Sequence, residues 1–302
     1  MSLITRLANH FAAAAAVAAI AASVDAQVVQ SPFTAQVIPN NIDGLYINVE
    51  TGAVGAAGGS VAGWDINPYS ATALTWFNAS GTGMLRFPTI LVGSAGNLNY
   101  GTTVGAAGSY SGGTVTVGAA PGNWRLNGDN YFAFRFTAAD AMTHYGWGRF
   151  TIFAAINGPD RRIEEIYYEA TANTPIVIGA YGTACGGLGF AQSGQPVLGA
   201  AFNFTVSNLP PATGLSALLL GVGTLNPGVD LSGLGWTGCN LYVASPILDF
   251  QFAPSGTYPF SVPLNPGILG FQLNAQGAAL WIDINSNLQA VTSKASASVI
   301  GN

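Results

Sequence analysis

Few residues in this chain have the type and spacing to do chemistry. The densest carboxylate cluster is Glu164, Glu165 and Glu169, with Asp160, Arg161 and Arg162 just before it. A glycosidase needs two carboxylates about 5–10 Å apart across a cleft. On a strand, Glu165 and Glu169 share one face but stand about 13–14 Å apart. That is too wide for a retaining pair, and the adjacent arginines point to a solvated, salt-bridged edge. His144 is the only histidine beyond residue 26. A Ser-His-Asp triad would have to use it, with Asp140 as its orienter. No G-x-S-x-G elbow surrounds any serine, however, and a hairpin histidine packing beside Tyr145 is the simpler reading. A single histidine is also too few for a His-based zinc site, so no metal centre is expected.

Two weaker patterns remain. Asp43, Asp65, Asn67, Asp129 and Asn130 are oxygen ligands near turns, which leaves a structural calcium ion open as the only cofactor. None forms an EF-hand-like loop, and Asn and Asp are ordinary turn residues. The glycine runs Gly55–Gly59 and Gly105–Gly113 precede neither a Lys-Ser/Thr pair nor a helical pattern, so they are not phosphate loops. The aromatic residues fit a binding role best. Trp64, Trp76, Trp124, Tyr145 and Trp147 would stack on sugar faces if exposed; on alternating strands, tryptophans more often bury.

Composition narrows the partners. Lys plus Arg is 8, Asp plus Glu is 13, and the net charge is −5. So few basic residues argue against nucleic acid and against an anionic membrane surface. The 40 glycines, with many Ala, Ser, Thr and Asn, fill the places charge would take. Such a surface repels its copies weakly, which eases close association. Residues 1–26 read as a signal peptide: a short polar start, the 12-residue apolar run FAAAAAVAAIAA, then Val24 and Ala26 before Gln27. No second long apolar run follows, so no membrane span is expected in the mature chain. Cys185 and Cys239 are the two cysteines, and in an exported chain pairing is the default. The alternative is two free thiols, one of them catalytic, but no base lies nearby in sequence.

The elements that must position these residues are strands. In Tyr131–Phe153 (YFAFRFTAADAMTHYGWGRFTIF), Phe132, Phe134 and Phe136 alternate with Tyr131, Ala133 and Arg135. That period of two is the mark of a strand buried on one face, and the second run, HYGWGRFTIF, completes an antiparallel hairpin. MLRFPTILVG reads as an apolar strand pair broken by Pro88. Residues 93–122 read as polar edge strands and loops rather than core. IEEIYYEA is ambiguous between helix and strand; Ile and Tyr favour strand. From residue 181 onward charge nearly vanishes, and short strands recur about every ten residues between Pro/Gly turns, as in a β-sandwich. The expected architecture is all-β: two antiparallel, jelly-roll-like β-sandwiches in series, 27–181 and 182–302.

Two sets of motifs carry a resemblance. YGTAC, PVLGAAFNFTVSNLP, ALLLGVG, GLGWTGCNLYV and SASVIGN resemble a small C-terminal β-sandwich of large exported proteins from planctomycete-like bacteria. DGLYINV, VAGWDINPY, FRF, HYGWGRF and YYEATANTPI resemble an exported bacterial module. The resemblance implies a Cys185–Cys239 bridge and structural or uncharacterised modules without a catalytic role. The expectation is a non-catalytic secreted or cell-surface structural or adhesive protein. Its partners would be further copies of itself or cell-envelope components, and with a carbohydrate-binding role also polysaccharide. Third comes a polysaccharide-acting hydrolase or lyase that would depend on Glu165 or His144.

Overall fold

A computed structural model describes residues 27–86, 95–118 and 123–301. The expected signal peptide, and most of the strand pair around Pro88, lie outside the described residues. Among the described residues every regular element is a strand apart from three single-turn 3-10 segments, Gly58–Ser60, Ser232–Leu234 and Pro266–Ile268.

The first half begins with β1 (Val28–Gln30), β2 (Gln36–Val37), β3 (Tyr46–Ile47), β4 (Val54–Gly55) and β5 (Ile66–Tyr69). Next come β6 (Leu74–Asn78), β7 (Gly83–Leu85), β8 (Thr103–Val104), β9 (Tyr110–Ser111) and β10 (Thr114–Gly118). β11 (Gly128–Thr137), β12 (Thr143–Ile152), β13 (Arg162–Glu169) and β14 (Ile176–Val177) complete it. The second half holds β15 (Ala180–Tyr181), β16 (Gly189–Gln192), β17 (Ala201–Ser207), β18 (Leu215–Gly221) and β19 (Gly223–Asp230). It ends with β20 (Asn240–Ala244), β21 (Ile247–Phe252), β22 (Thr257–Ser261), β23 (Gln272–Ile282) and β24 (Leu288–Val299).

In the first half a seven-stranded sheet, β1-β13-β12-β11-β7-β9 with β2 beside β13, faces a five-stranded sheet, β10-β6-β5-β3-β4. All pairings are antiparallel, and IEEIYYEA is the strand β13. The core between the sheets takes Phe132, Phe134, Phe136, Phe150 and Ile166 from one side, and Ile47, Ile66, Leu74 and Trp76 from the other. In the second half, β15-β24-β23-β18-β21 packs on β16-β17-β22, with Leu218, Ala275 and Ala279 meeting Phe204, Val206 and Tyr258. The molecule is therefore built of antiparallel β-sandwich layers.

The central hairpin pairs Thr137 with Thr143 across a five-residue connector, 138–142. Phe132 lies opposite Gly148 and Phe134 opposite Gly146. These glycines make room for the rings: a Cβ on Gly146 would come within 2.5 Å of the Phe134 ring. An aromatic laid over a cross-strand glycine shields backbone that the glycine would leave bare.

The structure corrects the hairpin reading in one respect, because both of its faces are buried. Behind the phenylalanines, Tyr131, Ala133, Tyr145, Trp147 and Tyr167 form a second cluster with Leu98, Tyr100, Val104 and Ile176. The segment expected to be polar edge thus supplies core side chains at Leu98, Tyr100 and Val104. The same cluster takes in Tyr181, Tyr242, Ala295 and Ala297, so one core is shared by the two halves. The β1 residue Val28 also exchanges backbone hydrogen bonds with Gly182.

Candidate functional site

His144 and Asp140 do come together, but not as part of a nucleophile relay. β12 starts at Thr143, which places His144 at its second position opposite Phe136, where the two rings pack 5.8 Å apart. Its neighbour is therefore Phe136 rather than Tyr145. His144 Nδ1 lies 2.7 Å from the Glu169 carbonyl oxygen. A carbonyl only accepts, so that nitrogen carries the hydrogen. Nε2 faces Asp140 Oδ2 at 3.1 Å. Both ring nitrogens are thus occupied, and none is left to take a proton from a serine. Asp140 is held below its usual range by the Met142 backbone N–H first and His144 second.

The carboxylates are spent on cations. Arg149 on β12 donates to Glu165 Oε1 and Asp129 Oδ1, each at 2.8 Å, from the middle of three neighbouring strands. Burial alone would lower the Arg149 pKa, but Glu165 and Asp129 outweigh it and raise it. Glu169, fully buried, accepts from the Thr171 N–H and lies 3.4 Å from Nζ of Lys294, the chain's single lysine. Arg162 pairs with Glu164 at the surface, but the expected charged edge is an inner strand: β13 has β12 on one side and β1 and β2 on the other.

Arg161 departs from that expectation. It is fully buried, with no carboxylate partner, and donates to the carbonyls of Pro39, Ser70, Ala73 and Ile156. Burial depresses its pKa to about 10. A guanidinium has five donors, and four loop carbonyls collected around it make a clasp. Nothing in DRR distinguishes such a residue from a solvated one.

The aromatic platform requires the largest correction. Trp76, Trp124, Tyr145 and Trp147 are all core residues, closed to any ligand. Trp76 and Trp124 pack on Phe150, and Trp147 stacks on Tyr167 at 4.5 Å. The sequence left exposure and burial as alternatives for them, with burial the commoner fate on alternating strands, and here both hairpin faces are covered. Trp64 is half-buried. It meets Tyr46 edge-on at 4.9 Å and Phe77 at 5.4 Å, on the side of its sheet facing away from Ile47 and Trp76. Sequence reasoning missed Tyr46 and Phe77; their alternation with buried Ile47 and Trp76 was the available signal.

The oxygen-rich turn residues are used within the fold. Asn67 Nδ2 donates to the Asp43 carbonyl, Asn130 bonds the Arg125 backbone, and Asp129 holds Arg149. Asp65 accepts from the Val49 N–H at 2.8 Å. Its pKa is raised to about 7, chiefly by burial; the Val49 bond opposes this and Glu50 adds to it. Among the described residues no three His, Cys, Asp or Glu side chains converge on a metal site.

Cys185 and Cys239 are bonded to each other, with Cα atoms 5.1 Å apart. The bridge lies against β24, where the Thr292 N–H meets Cys185 Sγ. Two cavities flank the junction of the halves. One, of about 340 Å3, is lined by Arg125, Asp129, Phe153, Leu269 and Gly301. The other, of about 400 Å3, is lined by Tyr100, Val177, Phe190, Gln192 and Lys294. No helix among the described residues is long and apolar enough to cross a membrane.

The most unusual surface lies in the second half. On β21, Leu248, Phe250 and Phe252 are exposed, and the register places them on one face with Leu215, Leu280 and Leu288. Phe252 is 82% exposed, and Ile284, in the β23–β24 turn, is 100% exposed. Isolated apolar residues at a surface are ordinary, whereas a contiguous group on one sheet marks an interaction face. Comparison of the chain with protein families, with curated proteins and with solved structures gives no match.

Proposed function

We propose that this chain is a non-catalytic, secreted or cell-surface structural or adhesive protein that acts through its low-charge β surfaces. The observation that carries the reading is the apolar face on the second half, built from Leu248, Phe250, Phe252 and Leu288 with few charges near it. The disulfide supports an oxidising compartment outside the cytoplasm. The absence of catalysis is supported by how the titratable groups are used: Arg149 holds two carboxylates, and both His144 nitrogens face acceptors. Sedimentation of the purified protein over a wide concentration range, with electron microscopy of the same samples, tests the reading. Concentration-dependent assemblies are expected; a monomer throughout, with no affinity for envelope material, refutes it.

A second reading has its own observation. Tyr46, Trp64 and Phe77 form an aromatic cluster on the outer face of their sheet, a surface suited to stacking on sugar rings. In a carbohydrate-binding module, Trp64→Ala would abolish retention on a polysaccharide column while leaving the fold intact. Retention equal to that of the native protein removes this reading.

A further inference from the structure

The free edge of β21 has a geometry that selects one partner. Among the described residues β21 pairs only with β18, and it ends its sheet. The Ala253 N–H donates to the Gly214 carbonyl, which fixes that pair as hydrogen-bonded. Alternation then turns the backbone groups of Ile247, Asp249 and Gln251 inward to β18, and those of Leu248, Phe250 and Phe252 outward. An exposed apolar edge with unpaired N–H and C=O groups is a template for another strand. Natural edges are usually guarded by charge or proline. Here the single charge is Asp249, and the prolines, Pro246 and Pro254, stand just outside the strand at its two ends.

We propose that β21 pairs antiparallel with β21 of a second copy, about a two-fold axis at Phe250. The inference rests on the reading that the protein acts through contacts between β surfaces. In this register Phe250 faces Phe250 of the second copy, and Leu248 faces Phe252. The Phe252 carbonyl already accepts from the Ser255 N–H, so the groups still unpaired on Leu248, Phe250 and Phe252 give about four bonds. Pro246 meets Pro254, neither has an N–H, and the ladder stops at both ends. Sliding by two residues in one direction sets Phe252 against Pro246 and brings Asp249 directly opposite its own copy. Like charges so placed are destabilising. Sliding the other way sets Leu248 against Pro254. In the centred register Asp249 instead faces Gln251. The Gln251 amide spends one hydrogen on the Thr257 carbonyl and has a second to offer the carboxylate. The two five-stranded sheets would run on as one, with their phenylalanines on a common face. Such an interface is isologous and closes at a dimer.

Sedimentation combined with cysteine trapping tests the proposal on the full chain. The native protein should dimerise reversibly. Phe250→Pro removes an outward N–H without touching the β18 ladder, so it should weaken the dimer at least ~10-fold with the melting temperature unchanged. Phe252→Lys, at a solvent-facing side chain, should do the same. Under mild oxidation Phe250→Cys should cross-link, because opposed residues of a hydrogen-bonded pair lie about 5.5 Å apart at Cα, within disulfide reach. Asp249→Cys should not, whereas a mixture of Leu248→Cys and Phe252→Cys should. Self-association that survives Phe250→Pro and Phe252→Lys, or trapping at Asp249→Cys, overturns this interface and leaves the structural reading standing. A native protein that stays monomeric overturns the pairing, and binding to envelope material then decides the broader reading separately.

Discussion

Replacing Lys294 with methionine should show how firmly the halves are joined. Lys294 belongs to β24 of the second half, and Glu169 closes β13 of the first. Their side chains approach to 3.4 Å, with Glu169 fully buried and Lys294 about one quarter exposed. Removing one partner of a buried pair costs about 3–5 kcal/mol, because the other charge is left without compensation. Two features lower that figure here: the contact is long, and water reaches the lysine's position. Glu169 also keeps its bond from the Thr171 N–H. We therefore expect a loss of about 2–3 kcal/mol for Lys294→Met, at the lower edge of the range for broken pairs. That corresponds to a fall of roughly 5–10 °C in Tm for a chain of this class. Adding Glu169→Gln removes the stranded charge and should restore most of the loss. The assay is urea unfolding of the native protein, both single variants and the double variant, read as a double-mutant cycle. A loss below about 0.5 kcal/mol in Lys294→Met would refute the reasoning, since surface pairs are worth that little and Glu169 would have to reach solvent.

Three further predictions concern the fold. Gly146→Ala should cost about 1–3 kcal/mol by crowding Phe134, and Phe134→Leu in the same chain should recover part of it; equal urea midpoints for native and Gly146→Ala would contradict the packing. Reduction of Cys185–Cys239, whose cysteines are separated by 54 positions in sequence, should remove roughly 4 kcal/mol in the chain-entropy model and lower the melting of residues 182–302, as calorimetry with and without reductant can show. Asp65 has a folded pKa of about 7, above its unfolded value, so the folded state binds the extra proton between about pH 4 and 7. Its contribution is full below that window and is lost as the pH rises through it. Asp65→Asn should therefore flatten the decline in stability toward pH 7, and parallel pH profiles for the two proteins would reject this.

The strands were legible because their residues alternate, and the hairpin because two such runs are joined by a short connector. The disulfide followed from two cysteines in a chain that begins like an exported one. Burial on the second hairpin face was not legible. Tyr131, Tyr145 and Trp147 combine a large apolar body with a polar atom, so sequence reads them equally as surface or core. What covers them comes from segments far away in the chain, Leu98 to Val104 and Tyr242. Arg161 escaped for a related reason: its partners are backbone carbonyls, which leave no trace in residue identities. Tyr46 and Phe77 were within reach, since each neighbours a core residue on a short strand. The strand character of LDFQFA was also plain, but its place at a sheet edge depends on strand order, which alternation does not encode.

The placement of the basic residues has a consequence for resistance to proteolysis. Trypsin-type proteases cut after Lys or Arg and need an exposed, yielding segment to bind. Arg135, Arg149, Arg162 and Lys294 lie within β11, β12, β13 and β24, where hydrogen bonds fix the backbone. Arg161 is sealed in its clasp of carbonyls, and Arg86 bridges to Ala95. Arg125 alone among the described basic residues is exposed outside a strand or bridge. A digesting enzyme of this specificity meets a nearly blank surface, so the protein's lifetime in a protease-rich medium is set by where its few cleavable bonds lie as much as by its free energy of folding.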